Sequence, residues 1–107
     1  MFRPAADPPM KTLSTRQITR QMKSVPQWSK RGRTIRRRYV FAGFPGAVAF
    51  VNRVARGAEK ANHHPDIDIR WNKVTLVLTT HSRGGLTGKD FSLARLCDRA
   101  FGQPPPR

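Results

Sequence analysis

The hydrophobic positions follow two alternating rhythms. Ile18, Met22 and Val25 recur at helical spacing. Just ahead of them Ser14-x-x-Gln17 forms a capping box, with Leu13 and Ile18 placed as a hydrophobic staple. Pro26 ends this helix, because its ring disfavours helical geometry at the residue before it. From Trp28 to Arg31, then past the turn-like Gly32, the rhythm changes to period 2. Ile35, Arg37, Tyr39 and Phe41 alternate with Arg36, Arg38 and Val40. This predicts a hairpin whose second strand, residues 34–41, turns Arg36 and Arg38 away from Tyr39 and Phe41. Ala47, Phe50, Val51, Val54, Ala58 and Ala61 restore the 3–4 spacing and predict a helix over 45–62, with Pro45 in its first turn. Residues 66–69 and 73–80 alternate again, and the second run is rich in β-branched side chains. Arg83-Gly84-Gly85 reads as a flexible loop. A last helix over 89–101 follows, with Phe91, Ala94, Leu96, Cys97 and Phe101 as candidate buried positions.

The order is therefore α-β-β-α-β-β-α. It predicts an α+β fold, a four-stranded antiparallel sheet with three helices packed on one face. The 107 residues fit one domain, placed at 12–102. The proline-rich residues 1–11 are expected to be a disordered leader, with Met10 a second candidate start, and residues 103–107 a disordered tail. No run of 18 apolar residues exists, so no membrane span is expected. A single cysteine, Cys97, excludes an internal disulfide framework and a cysteine-based zinc ribbon, and reads as a buried structural thiol. Together with the missing secretory apolar stretch, this points to the cytoplasm.

Charge adds a further question. The chain has 21 Lys+Arg against 6 Asp+Glu, a formal net charge of +15. Residues 1–58 hold 13 of the basic residues and one acidic residue. Such a surplus attracts polyanions without any evolved site. A nucleic-acid reading through residues 30–38 rests on charge only, since no helix-turn-helix or aromatic-interleaved RNA motif accompanies it. Nucleic acid is therefore not expected as a partner.

The chemistry lies in the three histidines. His63 and His64 follow the predicted second helix and precede the rigid Pro65. His81 stands at the mouth of the strand over 73–80, and Glu59 sits one helical turn before His63. Imidazoles donate and accept protons near neutral pH. Three histidines and a glutamate also make reasonable zinc ligands. However, adjacent histidines seldom reach the same metal, and neither H-x-x-x-H nor H-x-H occurs. No nucleophile elbow, P-loop or dinucleotide glycine fingerprint is present.

Taken together, Glu59-x-x-x-His63-His64-Pro65, Trp71, His81 and Asp90 resemble the signature of the pterin-4a-carbinolamine dehydratases. The spacings agree, with five residues between Pro65 and Trp71, nine between Trp71 and His81, and eight between His81 and Asp90. Asn72-Lys73-Val74, Leu78-Thr79-Thr80-His81, Gly85-Leu86-Thr87, Leu93-Ala94 and Pro26-Gln27-Trp28 also resemble the family, and the likeness covers about 13–101. The resemblance implies a hydro-lyase that dehydrates 4a-hydroxytetrahydropterin to quinonoid dihydropterin, recycling the pterin after aromatic amino-acid hydroxylation. It implies a homodimer or homotetramer and no metal or organic cofactor. It makes His63 and His81 the acid/base candidates and His64 a catalytic or substrate-positioning residue. Glu59 becomes a pterin contact or orienter and Pro65 part of the pocket wall, with Thr79 and Thr80 as polar neighbours of the pterin. Trp28 lines the site or anchors the first hairpin. Asp90 caps the last helix, through Thr87-x-x-Asp90, either alone or while also orienting His81. Trp71, where the family usually has tyrosine, reads as packing. Gly43 replaces an acidic residue and loosens the start of the second helix. The alternative is a non-catalytic binding or transcriptional-cofactor-like protein on the same fold, with a polyanion partner.

Overall fold

The computed structural model describes residues 11–102. The expectations placed on residues 1–10 and 103–107 lie outside the described residues. Eight elements follow in order: α1 (Thr15–Met22), β1 (Ser29–Arg31), β2 (Thr34–Val40), α2 (Phe44–Ala61), β3 (Asp66–Arg70), β4 (Lys73–Leu78), a 3-10 turn (His81–Arg83) and α3 (Gly88–Phe101). The four strands form one antiparallel sheet in the order β1-β2-β4-β3. This is the α+β architecture that the hydrophobic rhythm implies.

Local signals set the helix ends. Ser14 Oγ accepts from the Gln17 N–H at 3.2 Å, and Gln17 Oε1 accepts from the Ser14 N–H at 2.8 Å, closing the capping box. Helix α1 stops at Met22, three residues before Val25, in tightening turns such as Ser24 N–H to the Gln21 carbonyl at 2.9 Å. Pro26 bars helical geometry at Val25, which instead drops into the core. Helix α2 starts without a side-chain cap, because Gly43 has nothing to offer the first N–H groups. It ends at Asn62, in the left-handed region at φ 50°. Asparagine tolerates that conformation better than other non-glycine residues.

The register puts Ile35 opposite Leu78 and Tyr39 opposite Val74, so these side chains share the face that the helices cover. All four are buried with Phe50, Phe91, Leu76 and Leu93. Arg36 and Arg38 point to the uncovered face, as the period-2 pattern predicts. Ile67 and Ile69 lie on the covered side, opposite Leu76 and Val74, yet remain 39% and 38% exposed at the edge. The helices therefore do not reach β3.

Arg37 shares the core-facing side with Tyr39, and Asp98 makes its burial tolerable. Asp98 Oδ1 accepts from Arg37 Nη1 at 2.7 Å, Tyr39 OH at 2.5 Å and Trp28 Nε1 at 2.9 Å. The Arg37 guanidinium also lies 4.2 Å from the Tyr39 ring centroid. One carboxylate oxygen thus ties β2 and the segment before β1 to α3. Trp71 departs from the packing expectation. It is 65% exposed, at φ 53°, in the two-residue turn between β3 and β4. A left-handed backbone is strained for so bulky a residue.

Gly43 has an extended backbone, and an added Cβ would meet only Pro45 Cδ at 3.7 Å. Gly43→Asp is expected to stabilise the fold by about 0.5 kcal/mol through capping and the helix dipole, measured by urea denaturation. Burial pushes the Cys97 thiol up to about 12, and burial together with the Asp98 carboxylate pushes the Tyr39 phenol upward. Both groups keep their protons in the folded chain while the unfolded chain sheds them. Their stabilisation is therefore intact below about pH 9 and is lost as pH rises towards 12. Tm should fall over that window, and less steeply in Cys97→Ala than in the wild type.

Candidate active site at the histidine cleft

The left-handed turn at Asn62 redirects the chain as it leaves α2. The His63 N–H still bonds the Ala58 carbonyl at 3.1 Å, while its side chain turns inward and ends 9% exposed. His63 Nε2 lies 2.6 Å from Asp90 Oδ1. Asp90 occupies the first turn of α3 and is fully buried. Its other oxygen, Oδ2, accepts from the Thr87 N–H at 2.9 Å and from Thr80 Oγ1 at 2.8 Å. Thr80 and Thr87 hydroxyls also meet at 2.8 Å. A buried carboxylate needs such a complement of partners, and it gains from the positive end of α3. With Nε2 engaged by Asp90, Nδ1 is the imidazole nitrogen left for other chemistry.

His64 points outward. Its Nε2 lies 2.9 Å from Glu59 Oε2, and both side chains are exposed. Glu59 and His64 are thus brought together across the end of α2. On the other side of the cleft, β4 ends and Thr79 Oγ1 donates to the Arg33 carbonyl at 2.6 Å. Thr80 bridges Gly85, which closes a short loop and presents His81 and Ser82 at its start.

These segments enclose a cleft of about 240 Å³ lined by Asn62, His63, His64, Thr79, Thr80, His81 and Ser82. All three histidines share it, one buried and backed by a carboxylate, two exposed. A larger groove of about 560 Å³ lies elsewhere, between α1, the β1–β2 turn and Gly84–Leu86, and contains no histidine. Among the described residues no three His, Cys, Asp or Glu side chains converge as metal ligands would.

Three expectations need correction, for Asp90, Trp28 and Pro65. Asp90 does cap α3, but it holds His63 and not His81, because the carboxylate is buried beneath Thr80 while His81 lies beyond the end of β4 in solvent. Trp28 does not line the cleft. It is 4% exposed in the core, drawn there by its bond to Asp98 and by edge-to-face contact with Tyr39. Pro65 stiffens the chain after His64 but is not among the lining residues, and neither is Glu59. The sequence pattern does not mark Asn62 and Ser82 as lining the cleft. Asn62 was the more legible of the two, since asparagine before His-His-Pro at a helix end is a left-handed cap signal.

Comparison with known proteins places the chain in a family. The family model described as pterin 4 alpha carbinolamine dehydratase matches residues 11–100. A relative from Nocardia farcinica bearing the dehydratase name is 52% identical over 86 residues, covering 80% of this chain and 90% of its own. One from Chloroflexus aurantiacus is 52% identical over 93 residues, covering 87% of this chain and all of its own. A crystal structure described as a transcriptional coactivator/pterin dehydratase from Brucella melitensis superimposes with a TM-score of 0.83 at 30% identity, over 86% of this chain and 100% of that one. A pterin dehydratase-like protein identified as a RuBisCO assembly factor in the alpha-carboxysome shares the fold, with a TM-score of 0.62 at 21% identity over 73% of this chain and 93% of its own. The match spans the sheet, the three helices and every residue of the histidine cleft, and the chain belongs to the pterin 4 alpha carbinolamine dehydratase family.

Proposed function

We propose that the chain is a hydro-lyase that dehydrates 4a-hydroxytetrahydropterin to quinonoid dihydropterin. The observation that carries this reading is the buried His63–Asp90 pair opening onto a cleft shared with His64 and His81. In the reaction the C4a–oxygen bond breaks, the N5 proton departs, and a C4a=N5 double bond forms as water leaves. The departing oxygen needs a proton and N5 needs a base. His63 and His81 supply this acid/base pair, at roughly 10²–10⁴-fold per positioned group. His64, held by Glu59, positions the pterin with Thr79 and Thr80, and Asp90 is a positioning residue that acts through His63. No metal or organic cofactor enters this reading.

The wider setting belongs to the same proposal. The pterin would come from aromatic amino-acid hydroxylation, and the enzyme would work in the cytoplasm. Among the described residues no helix is long and apolar enough to cross a membrane. A homo-oligomer is supported by β3, an edge strand whose Ile67 and Ile69 the helices leave uncovered. A second reading is a coactivator-like binding protein, which the description of the Brucella melitensis structure supports. The buried dyad favours catalysis, since it holds a cleft imidazole in one orientation beside two further histidines.

Dehydration of 4a-hydroxytetrahydropterin, followed by absorbance and corrected for the spontaneous reaction, tests this directly. His63→Ala and His81→Ala are each expected to lose at least about 100-fold in kcat. Wild-type rates in both variants would overturn the assignment. Asp90→Asn should lower kcat by about tenfold or more while KM stays within about twofold, as expected when a group acts on the imidazole and not on the substrate. A change confined to KM would remove Asp90 from that role.

A further inference from the structure

The proposed reaction leaves the positive charge unused, because the cleft is lined by uncharged polar side chains and histidines alone. The surplus has a location. Helices α2 and α3 run antiparallel: Arg53 Nε donates to the Ala100 carbonyl at 3.1 Å at one end, and Ala61 and Lys89 border the same hollow at the other. Between these ends the helices come very close, since a Cβ on Gly57 would fall 2.5 Å from Leu96 Cδ2. Two adjoining hollows, about 390 and 470 Å³, share Leu96 and Arg99; the first lies over this seam, and the second continues from it along α3 as far as Gln21 of α1. Arg53, Arg56, Lys60, Lys89, Arg95 and Arg99 line this groove, and no carboxylate does.

We propose that this α2–α3 groove binds the phosphodiester backbone of a single-stranded nucleic acid, without reading its sequence. Two of the guanidiniums are already oriented by the fold. Arg95 Nη1 donates to Gln21 Oε1 and Ser24 Oγ at 3.1 Å each, and Arg53 is fixed by the Ala100 carbonyl. Guanidiniums suit phosphate oxygens, which they engage bidentately. From Lys89 to Arg99 the seam is about 15 Å long at ~1.5 Å per residue. That accommodates about four phosphates at the ~3.4 Å rise of a stacked strand. No aromatic side chain lines the groove, so base stacking is not part of the contact.

Other occupants fit less well. A second copy would set these cations against their own images with no carboxylate between them. A partner helix would need an apolar stripe, yet the seam offers Leu96 among small residues, Gly57, Ala61 and Ala100. The open sheet face is also basic, but Asp66 and Asp68 share it, and Asp68 already pairs with Arg70 at 3.1 Å. The location therefore differs from residues 30–38, where the charge is densest in sequence.

Fluorescence anisotropy with a fluorescein-labelled 15-nucleotide oligothymidylate and the full chain tests the proposal. Binding should weaken with salt, with a slope of log K against log salt of about −2 to −3, corresponding to three or four phosphate contacts. Arg56→Gln/Lys60→Gln/Arg99→Gln should weaken binding at least about tenfold at low salt. Arg36→Gln/Arg38→Gln/Lys73→Gln on the sheet face removes the same charge and should cost less than about threefold. Both triples should retain dehydratase turnover, which keeps this test separate from the proposed activity. Equal losses in the two triples would show a response to net charge alone and overturn the site. So would absence of binding at low salt, or competition by polyglutamate of matching length as strong as that of unlabelled oligonucleotide.

Discussion

Asp90 is a carboxylate with no access to solvent, and the geometry around it follows from that constraint. An ionisable group out of water must be surrounded by donors, and no single element can provide them. Thr87 comes from the start of α3, Thr80 from the end of β4, and His63 from the exit of α2. The hydrogen bonds that satisfy the charge therefore also fix where these segments stand relative to one another. The same contacts cap α3 and orient an imidazole, so formation of the cleft is coupled to completion of the fold.

Asp98 plays a comparable part at the far end of α3. Three donors from β2 and the preceding loop converge on one of its oxygens and allow Arg37 to sit on the core face among aromatic rings. These two carboxylates, one at each end of α3, anchor polar groups within an otherwise apolar interior. The remaining described acids are exposed, and so few of them face so many cations that long stretches of surface stay positive. Apart from Arg37, which Asp98 neutralises, the charges lie on outer helix faces and the open sheet face, away from the aromatic cluster of Tyr39, Phe41, Phe50 and Phe101.

Much of this was legible in the sequence because it is local. The Ser14–Gln17 and Thr87–Asp90 caps, the alternation through Ile35 and Tyr39, and the stripe from Ala47 to Ala58 are set by neighbours within a few residues. The cleft membership of His63, His64, Thr79, Thr80 and His81 was legible through spacing shared with a family. What escaped was long-range. Asp90 lies closer in sequence to His81 than to His63, and only the return of α3 beneath Thr80 decides which histidine it meets. Trp28 carries no local mark that separates a cleft wall from a core anchor, and the deciding partner, Asp98, is 70 residues away. Trp71 was expected to pack, but a two-residue turn leaves its ring outside.

In the proposed mechanism the buried Asp90 carboxylate sets the state of His63. Proton-detected nitrogen NMR of the imidazole groups near neutral pH tests it most directly. His63 is expected to carry its proton on Nε2, in a strong downfield bond that weakens in Asp90→Asn while His64 and His81 are unchanged. A proton on Nδ1 with Nε2 bare, or a His63 signal indifferent to Asp90→Asn, would contradict it.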